Sequence, residues 1–226
     1  MREESIIRPS IFSGYRELRA GMSTKLGLER HNGFAMNLSY KVGDDPACVK
    51  LNRATFFTAL GIAEQKLAIP LQTHSATVRI ATVPGQYEAC DALVTNCGAL
   101  ALVVTIADCV PIMLYDPVRG SIGIVHAGWR GTAAEIAGCA VRTMQEAFGT
   151  DPKNILAFIG PSAGSCCYEV GADVAVKFQN KIVPYNTTKT TIDLKKENSA
   201  QLVQRGVSPA NIERSVQMYP ARRRTR

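Results

Sequence analysis

Two short apolar runs, Pro111-Ile112-Met113-Leu114-Tyr115 and Ser121-Ile122-Gly123-Ile124-Val125, flank the turn-rich segment Asp116-Pro117-Val118-Arg119-Gly120. A connector of that length and composition closes an antiparallel hairpin. Folding the chain back near Val118 sets the neighbourhood of Cys109, in Ala107-Asp108-Cys109-Val110-Pro111, against that of His126, in His126-Ala127-Gly128-Trp129-Arg130-Gly131. The register is expected to within a residue or two. Opposed residues of a hairpin have Cβ atoms about 5 Å apart, near enough for a thiolate and an imidazole to share one ion.

A further histidine, His74, stands in Gln72-Thr73-His74-Ser75, and the chain has three histidines in all. Two imidazoles and one thiolate make the donor set of an open catalytic zinc site, with the fourth position left to water or substrate. On this reading His74, Cys109 and His126 are both the metal ligands and the catalytic centre. Nothing local brings His74 to the hairpin, so its arrival depends on the rest of the fold. Two other readings of the same residues stay open: Cys109 as a buried core thiol, and Cys109 as a nucleophile with His126 as its base. Asp108 neighbours Cys109, so on an extended strand its side chain points to the opposite face.

The 226 residues are expected to form a single domain, 1–226, with ample length for a core. Hydrophobic residues at 46% and charged residues at 20% are ordinary for a globular chain. The longest apolar run, residues 99–107, falls well short of the roughly 20 residues that span a bilayer. No apolar segment of signal-peptide type follows the charged start. Seven cysteines without framework-like spacing suit a reducing, cytoplasmic setting, with the neighbours Cys166 and Cys167 as free thiols. Net charge is +7, but Arg222, Arg223, Arg224 and Arg226 supply four of those charges, leaving +3 on the body. A terminal basic run without aromatics reads as a solvated tail, so no nucleic-acid partner is expected. The mildly positive body favours anionic small molecules.

Asp44-Asp45-Pro46 opens a helix that carries Val49, Phe56 and Leu60 and closes at Gly61. Residues 11–23 read as strand and turn, residues 67–82 as strand, turn and strand, and residues 91–95 as a strand. Residues 99–106 read as a strand buried on both faces. Thr132 is expected to cap a helix running to about Phe148, and residues 154–159 to form a strand. Two further helices are expected, over 168–179 and over 193–205 before Gly206. Hairpins mixed with crossovers point to an α+β fold with mixed sheets rather than a doubly wound parallel sheet.

Motifs spread along the whole chain resemble the laccase-domain family, known as YfiH-like and once described as polyphenol oxidases. They run from Gly21-Met22-Ser23-Thr24, Asn37-Leu38, Val42-Gly43-Asp44-Asp45 and Asn52-Arg53 through Gln72-Thr73-His74 and Cys90-Asp91-Ala92-Leu93. They continue in Ala107-Asp108-Cys109-Val110-Pro111, His126-Ala127-Gly128-Trp129-Arg130-Gly131, Ile159-Gly160-Pro161 and Cys166-Cys167-Tyr168-Glu169-Val170, then more weakly in Asp193-Leu194, Asn198 and Gln201-Leu202. The resemblance implies a purine nucleoside phosphorylase with adenosine deaminase activity, acting on purine nucleosides and phosphate. It implies zinc carried by His74, Cys109 and His126, and mixed β-sheets sandwiched between helix layers in an αββα-like arrangement, distantly similar to some cysteine hydrolases. It also puts the Asn52-Arg53 pair beside the site, where Arg53 would hold phosphate; Arg130, just past His126, is a weaker candidate for the same work, and Asn37 is a further substrate contact. Copper oxidase chemistry on phenols fits less well, because a multi-copper electron relay needs many more than three histidines. A binding module that senses a purine without turnover is the remaining alternative. Lys25 stands where relatives commonly carry Arg, and residues 216–226 depart from the family's usual ending.

Overall fold

The computed structural model describes residues 5–25, 34–178, 183–186, 189–216 and 218–219. Chain contacts divide it into two units, Met1–Leu67 and Ala68–Arg226. The tail arginines and the third histidine, His31, lie outside the described residues.

The first unit is built on helix α1 (Pro46–Leu60). Asp45 caps it by accepting from the Ala47 N–H, and Pro46 occupies a first-turn position where no N–H is needed. Gly61 ends it in the left-handed region (φ 68°), where its N–H meets the Phe57 and Thr58 carbonyls. Val49, Asn52, Arg53, Phe56, Phe57 and Leu60 are the buried positions, one face at helical spacing. Residues 10–12 form a 3-10 turn, and the strand expected within 11–23 is confined to Met22–Ser23, paired with Ile6–Ile7.

The second unit is organised on a six-stranded mixed sheet. Its strands are β1 (Val78–Ile80), β2 (Ala92–Thr95), β3 (Val110–Asp116), β4 (Ser121–Ala127), β5 (Leu156–Ile159) and β6 (Ile212–Arg214), in the spatial order β6-β5-β3-β4-β2-β1. The two outer pairs are parallel and the three inner pairs antiparallel. The β3–β4 hairpin forms as the sequence predicts. Asp116 Oδ1 accepts from the Val118 and Arg119 amides in the turn, and Gly120 takes the left-handed conformation (φ 62°) that the turn needs. Val110 pairs with Ala127 and Pro111 with His126.

Period-two alternation assigns each strand residue to one of two cores. Ala92, Val94, Val110, Ile112, Leu114, Val125, Ala127, Ala157 and Ile159 face one side with Ile136, Ala137, Ala140, Val141 and Met144 of helix α3 (Ile136–Phe148). Helix α4 (Leu194–Gln204) adds Leu194 and Leu202 to the same core. Full burial of a side chain such as Ile112, Leu114 or Met144 contributes roughly 1.5–3 kcal/mol. Leu93 and Ile124 face the other side, packing with Ala68, Ala81, Cys90 and Leu100. A three-stranded sheet, in the order Gly85–Tyr87, Leu67–Pro70, Ala101–Leu102, belongs to that second layer. The fold is therefore one of several mixed sheets with helices.

Three local expectations are corrected. Thr132 is not a cap: a short helix α2 (Trp129–Ala133) starts at Gly128, and the chain breaks at Glu135 (φ 60°) before α3. Thr132 is buried inside α2, where its hydroxyl accepts from Asn198 Nδ2 (2.9 Å) and its carbonyl from Gln201 Nε2 (2.7 Å), so tertiary partners fix the start. Residues 99–106 hold a strand only at Ala101–Leu102 and are half-buried there, because that segment lies in the small sheet rather than the central one. Over 168–178, helix forms only at Ala172–Ala175 with a 3-10 turn at Val176–Phe178; Glu169–Val170 pairs with Lys189–Thr191 as strand. Gln179 lies outside the described residues.

Candidate metal centre

The site stands at one end of the central sheet, where β2 and β3 begin and β4 ends. The β3–β4 register puts Cys109, one residue before β3, opposite Gly128, one residue after β4. Cys109 and His126 are then diagonal neighbours on one face, since side chains alternate with a period of two. The pairing lies within the residue or two of register that the sequence expectation allowed. His74 comes from the turn between Leu67–Pro70 and β1. Its ring lies 4.9 Å from that of His126, edge-on at 82°. One donor atom each from His74, Cys109 and His126 all lie within 4.8 Å of one another, the one such cluster among the described residues.

Two nitrogens and a sulfur at this spacing suit a borderline-soft first-row ion. The backbone beside them leaves room for one: a Cβ on residue 128 would stand 3.1 Å from His74 Cδ2 and 3.2 Å from Cys109 Sγ. Gly131, in α2, is equally constrained, since a Cβ there would meet the Ser75 carbonyl at 2.8 Å. The residues present therefore fit the metal implied by the resemblance.

Asp91, which sequence reasoning did not select, joins the parts. It immediately precedes β2, and its carbonyl accepts from the His126 amide (2.8 Å), making it the cross-strand neighbour of His126. Its carboxylate is fully buried. Oδ1 accepts from the His74 amide (2.9 Å) and contacts His126 Nδ1 (2.8 Å). Oδ2 accepts from the Thr73 and Ser75 amides (3.1 and 2.6 Å) and from both hydroxyls (3.3 and 2.8 Å). Burial works against the Asp91 anion, but hydrogen bonds from His126, Ser75 and Thr73 outweigh it and hold the carboxyl well below the usual range. An ionised carboxylate only accepts, so His126 Nδ1 carries the proton and Nε2 is left for other work. The one signal for this in the sequence is a carboxylate at the head of the apolar strand in Cys90-Asp91-Ala92-Leu93.

His74 itself is in the left-handed region (φ 60°), a conformation that costs a non-glycine residue about 1–3 kcal/mol. Gln72 holds the chain before it by imitating a strand partner: Nε2 donates to the Thr105 carbonyl (2.8 Å), and Oε1 accepts from the Thr105 amide and hydroxyl (3.0 Å each). Burial, then the neighbouring His126 and Arg130 charges, lower the His74 pKa against the pull of Asp91. Burial likewise opposes charge on His126, but Asp91, hydrogen-bonded to Nδ1, and the neighbouring Cys109 raise its pKa to about 9, so a bound ion must displace the Nε2 proton.

The three residues read as substrate contacts fall in different surroundings. Arg130 is exposed, with its guanidinium 4.3 Å above the Trp129 ring, and no carboxylate pairs with it among the described residues. Trp129 packs on the core below. With Ala133, Ala134 and Lys177 the two line a depression of about 360 Å³. Arg53 belongs to the first unit and is buried at 8% exposure. Its Nη1 donates to the Leu38 carbonyl (3.4 Å), Nε lies 3.7 Å from Glu64, and the guanidinium covers the Tyr40 and Phe57 rings. Asn37 spends its side chain on its own loop, donating to the Ser39 carbonyl and Asp44 Oδ2 and accepting from the Ser39 amide. Asn198 and Gln201 are the two residues that clamp α2.

The chain belongs to the family described as multi-copper polyphenol oxidoreductase laccase, whose profile matches residues 19–221. It is 36% identical over 219 residues to adenosine deaminase RL5 of an unknown prokaryotic organism, covering 88% of this chain and 82% of that protein. It is 30% identical over 220 residues to a purine nucleoside phosphorylase of Bacteroides thetaiotaomicron, covering 89% and 82%. The fold superposes on the crystal structure of YlmD from Geobacillus stearothermophilus with a TM-score of 0.86 at 30% identity, covering 96% of this chain and 87% of that one.

Proposed function

We propose that this protein is a zinc-dependent purine nucleoside enzyme, catalysing phosphorolysis of adenosine, inosine, guanosine or methylthioadenosine and hydrolytic deamination of adenosine. The observation that carries the reading is the cluster of His74, Cys109 and His126 within 4.8 Å beside the space left by Gly128. The names of the relatives support the chemistry. When bound, zinc supplies Lewis acidity and activates water near neutral pH. The chain's own residues do the rest. His74, Cys109 and His126 are the ligands, held at the end of a rigid sheet. Arg130, presented on the Trp129 face two residues beyond Gly128, is the cation best placed to hold an anionic co-substrate such as phosphate. Arg53 and Asn37 keep the substrate roles that the resemblance gives them as alternatives to be separated by experiment. Seven free thiols accord with a cytoplasmic setting; among the described residues no helix is long and apolar enough to cross a membrane.

One observation favours a second reading. Cys109 lies beside the His126 ring, whose Nδ1 is hydrogen-bonded to Asp91, the order of a thiol nucleophile, its base and the orienting carboxylate. A thiolate held by zinc is a poor nucleophile, so metal content separates the two. Protein purified without chelator is expected to contain about one zinc per chain and to convert adenosine to inosine, and to adenine only with phosphate present. Cys109→Ser should lose most of the zinc while keeping the fold. Full zinc occupancy in that variant refutes the ligand assignment, and turnover by metal-free wild-type protein supports the hydrolase.

A further inference from the structure

Asp91 is placed to govern both histidines through one oxygen. Oδ1 meets the backbone N–H of His74 and the ring Nδ1 of His126, residues 52 positions apart in the chain. The amides of Thr73, His74 and Ser75 all point at the carboxylate, so three successive N–H groups form a concave nest around it. That nest exists because His74 adopts positive φ, which turns consecutive amides to the same side. An anion in the nest is therefore the partner that holds the turn in a conformation an imidazole-bearing residue does not choose by itself. The same anion, buried and only accepting, dictates which ring nitrogen of His126 bears the proton.

We propose that Asp91 is the positioning residue of the metal centre: its single carboxylate locks the left-handed turn presenting His74 and fixes the His126 ring as the Nδ1–H tautomer, leaving Nε2 toward the ion. The inference rests on the zinc reading above. Orienting carboxylates behind histidine ligands set metal affinity by about 10- to 100-fold. Asparagine has the same shape but only one accepting oxygen, with an NH2 group in place of the other. Asp91→Asn therefore cannot serve both the Ser75 and Thr73 donors and the His74 and His126 donors.

The test is zinc affinity by competition with a chromophoric chelator, together with the visible spectrum of the cobalt(II)-substituted protein. Asp91→Asn is expected to weaken zinc about 10- to 100-fold and to shift the cobalt bands, with far-UV circular dichroism unchanged. Ser75→Ala removes one donor from Oδ2 but leaves both Oδ1 bonds, and should change affinity by less than about threefold. Long-range proton–nitrogen correlation on the zinc-loaded wild type, which needs no variant, should find the proton of His126 on Nδ1. A folded Asp91→Asn protein with wild-type affinity and spectrum overturns the proposal, as does a His126 proton on Nε2. If the wild type takes up no zinc, the metal reading itself has failed. If it binds zinc and only Asp91→Asn is indifferent, the failure belongs to this inference alone.

Discussion

Substituting Gly128 by alanine isolates the space beside the ligands from every other property of the site. Gly128 has φ −73° and ψ 172°, an extended conformation open to any residue, so alanine meets no backbone penalty. Loss of glycine's freedom in the unfolded chain favours the variant by about 0.4–1 kcal/mol. Against this, the new methyl would stand 3.1 Å from His74 Cδ2 and 3.2 Å from Cys109 Sγ, whereas ordinary carbon contacts lie at about 3.5–4.0 Å. Each ligand must give way by roughly 0.4 Å, beyond the ~0.2 Å within which metal–ligand distances are held. Overpacking of this kind costs about 1–3 kcal/mol, which the gain offsets only in part, leaving a folding cost of up to roughly 2.6 kcal/mol. The expectation is a melting temperature lowered by no more than about 10 °C and zinc binding at least about tenfold weaker, each tenfold being about 1.4 kcal/mol. Chelator competition and differential scanning calorimetry measure the two quantities on the same samples. A folded Gly128→Ala protein with undiminished zinc affinity and turnover would refute the argument that this cradle holds the ion.

If Arg130 holds the attacking phosphate, Arg130→Ala should depress phosphorolysis about ten- to hundredfold, the worth of a charge-assisted contact, while deamination, which uses no phosphate, changes much less. Arg53→Ala should then lower thermal stability, through loss of the Leu38 and Glu64 contacts, without altering the ratio of the two activities; a selective loss of phosphorolysis in Arg53→Ala instead would move the phosphate role to Arg53. Burial pushes the Cys90 thiol up to about 11, so at pH 8 its thiolate is scarce and its sulfur is shielded. Iodoacetamide followed by peptide mass mapping should leave Cys90 unmodified in native protein and modify it after denaturation. Native labelling of Cys90 would contradict its place in the core.

Much of this protein is written in local pattern. Alternating and continuous apolar runs around a five-residue turn specify the β3–β4 hairpin, and Asp45, Pro46 and Gly61 bound α1, because capping and turn chemistry act over a few residues. The two candidate ligands on that hairpin were legible for the same reason: a period of two and a short turn fix their separation to within two residues of register. The start of α2 was not, since Thr132 looks like a cap in isolation and is claimed by Asn198 and Gln201 from a helix more than 60 residues away. The small sheet was misread likewise, because an apolar run does not say which sheet will receive it.

The sequence alone determined the donor types, two imidazoles and a thiol, and the hairpin that brings two of them together. Tertiary structure alone decided that His74 joins them. Its turn is held by Gln72 against Thr105 and by Asp91, 33 and 17 residues away from their respective partners, and its left-handed backbone runs against local preference. A conformation that local forces disfavour cannot be read from local sequence; it exists here because a buried carboxylate, itself ordered by the central sheet, gathers the donors of the His74 turn and the His126 ring.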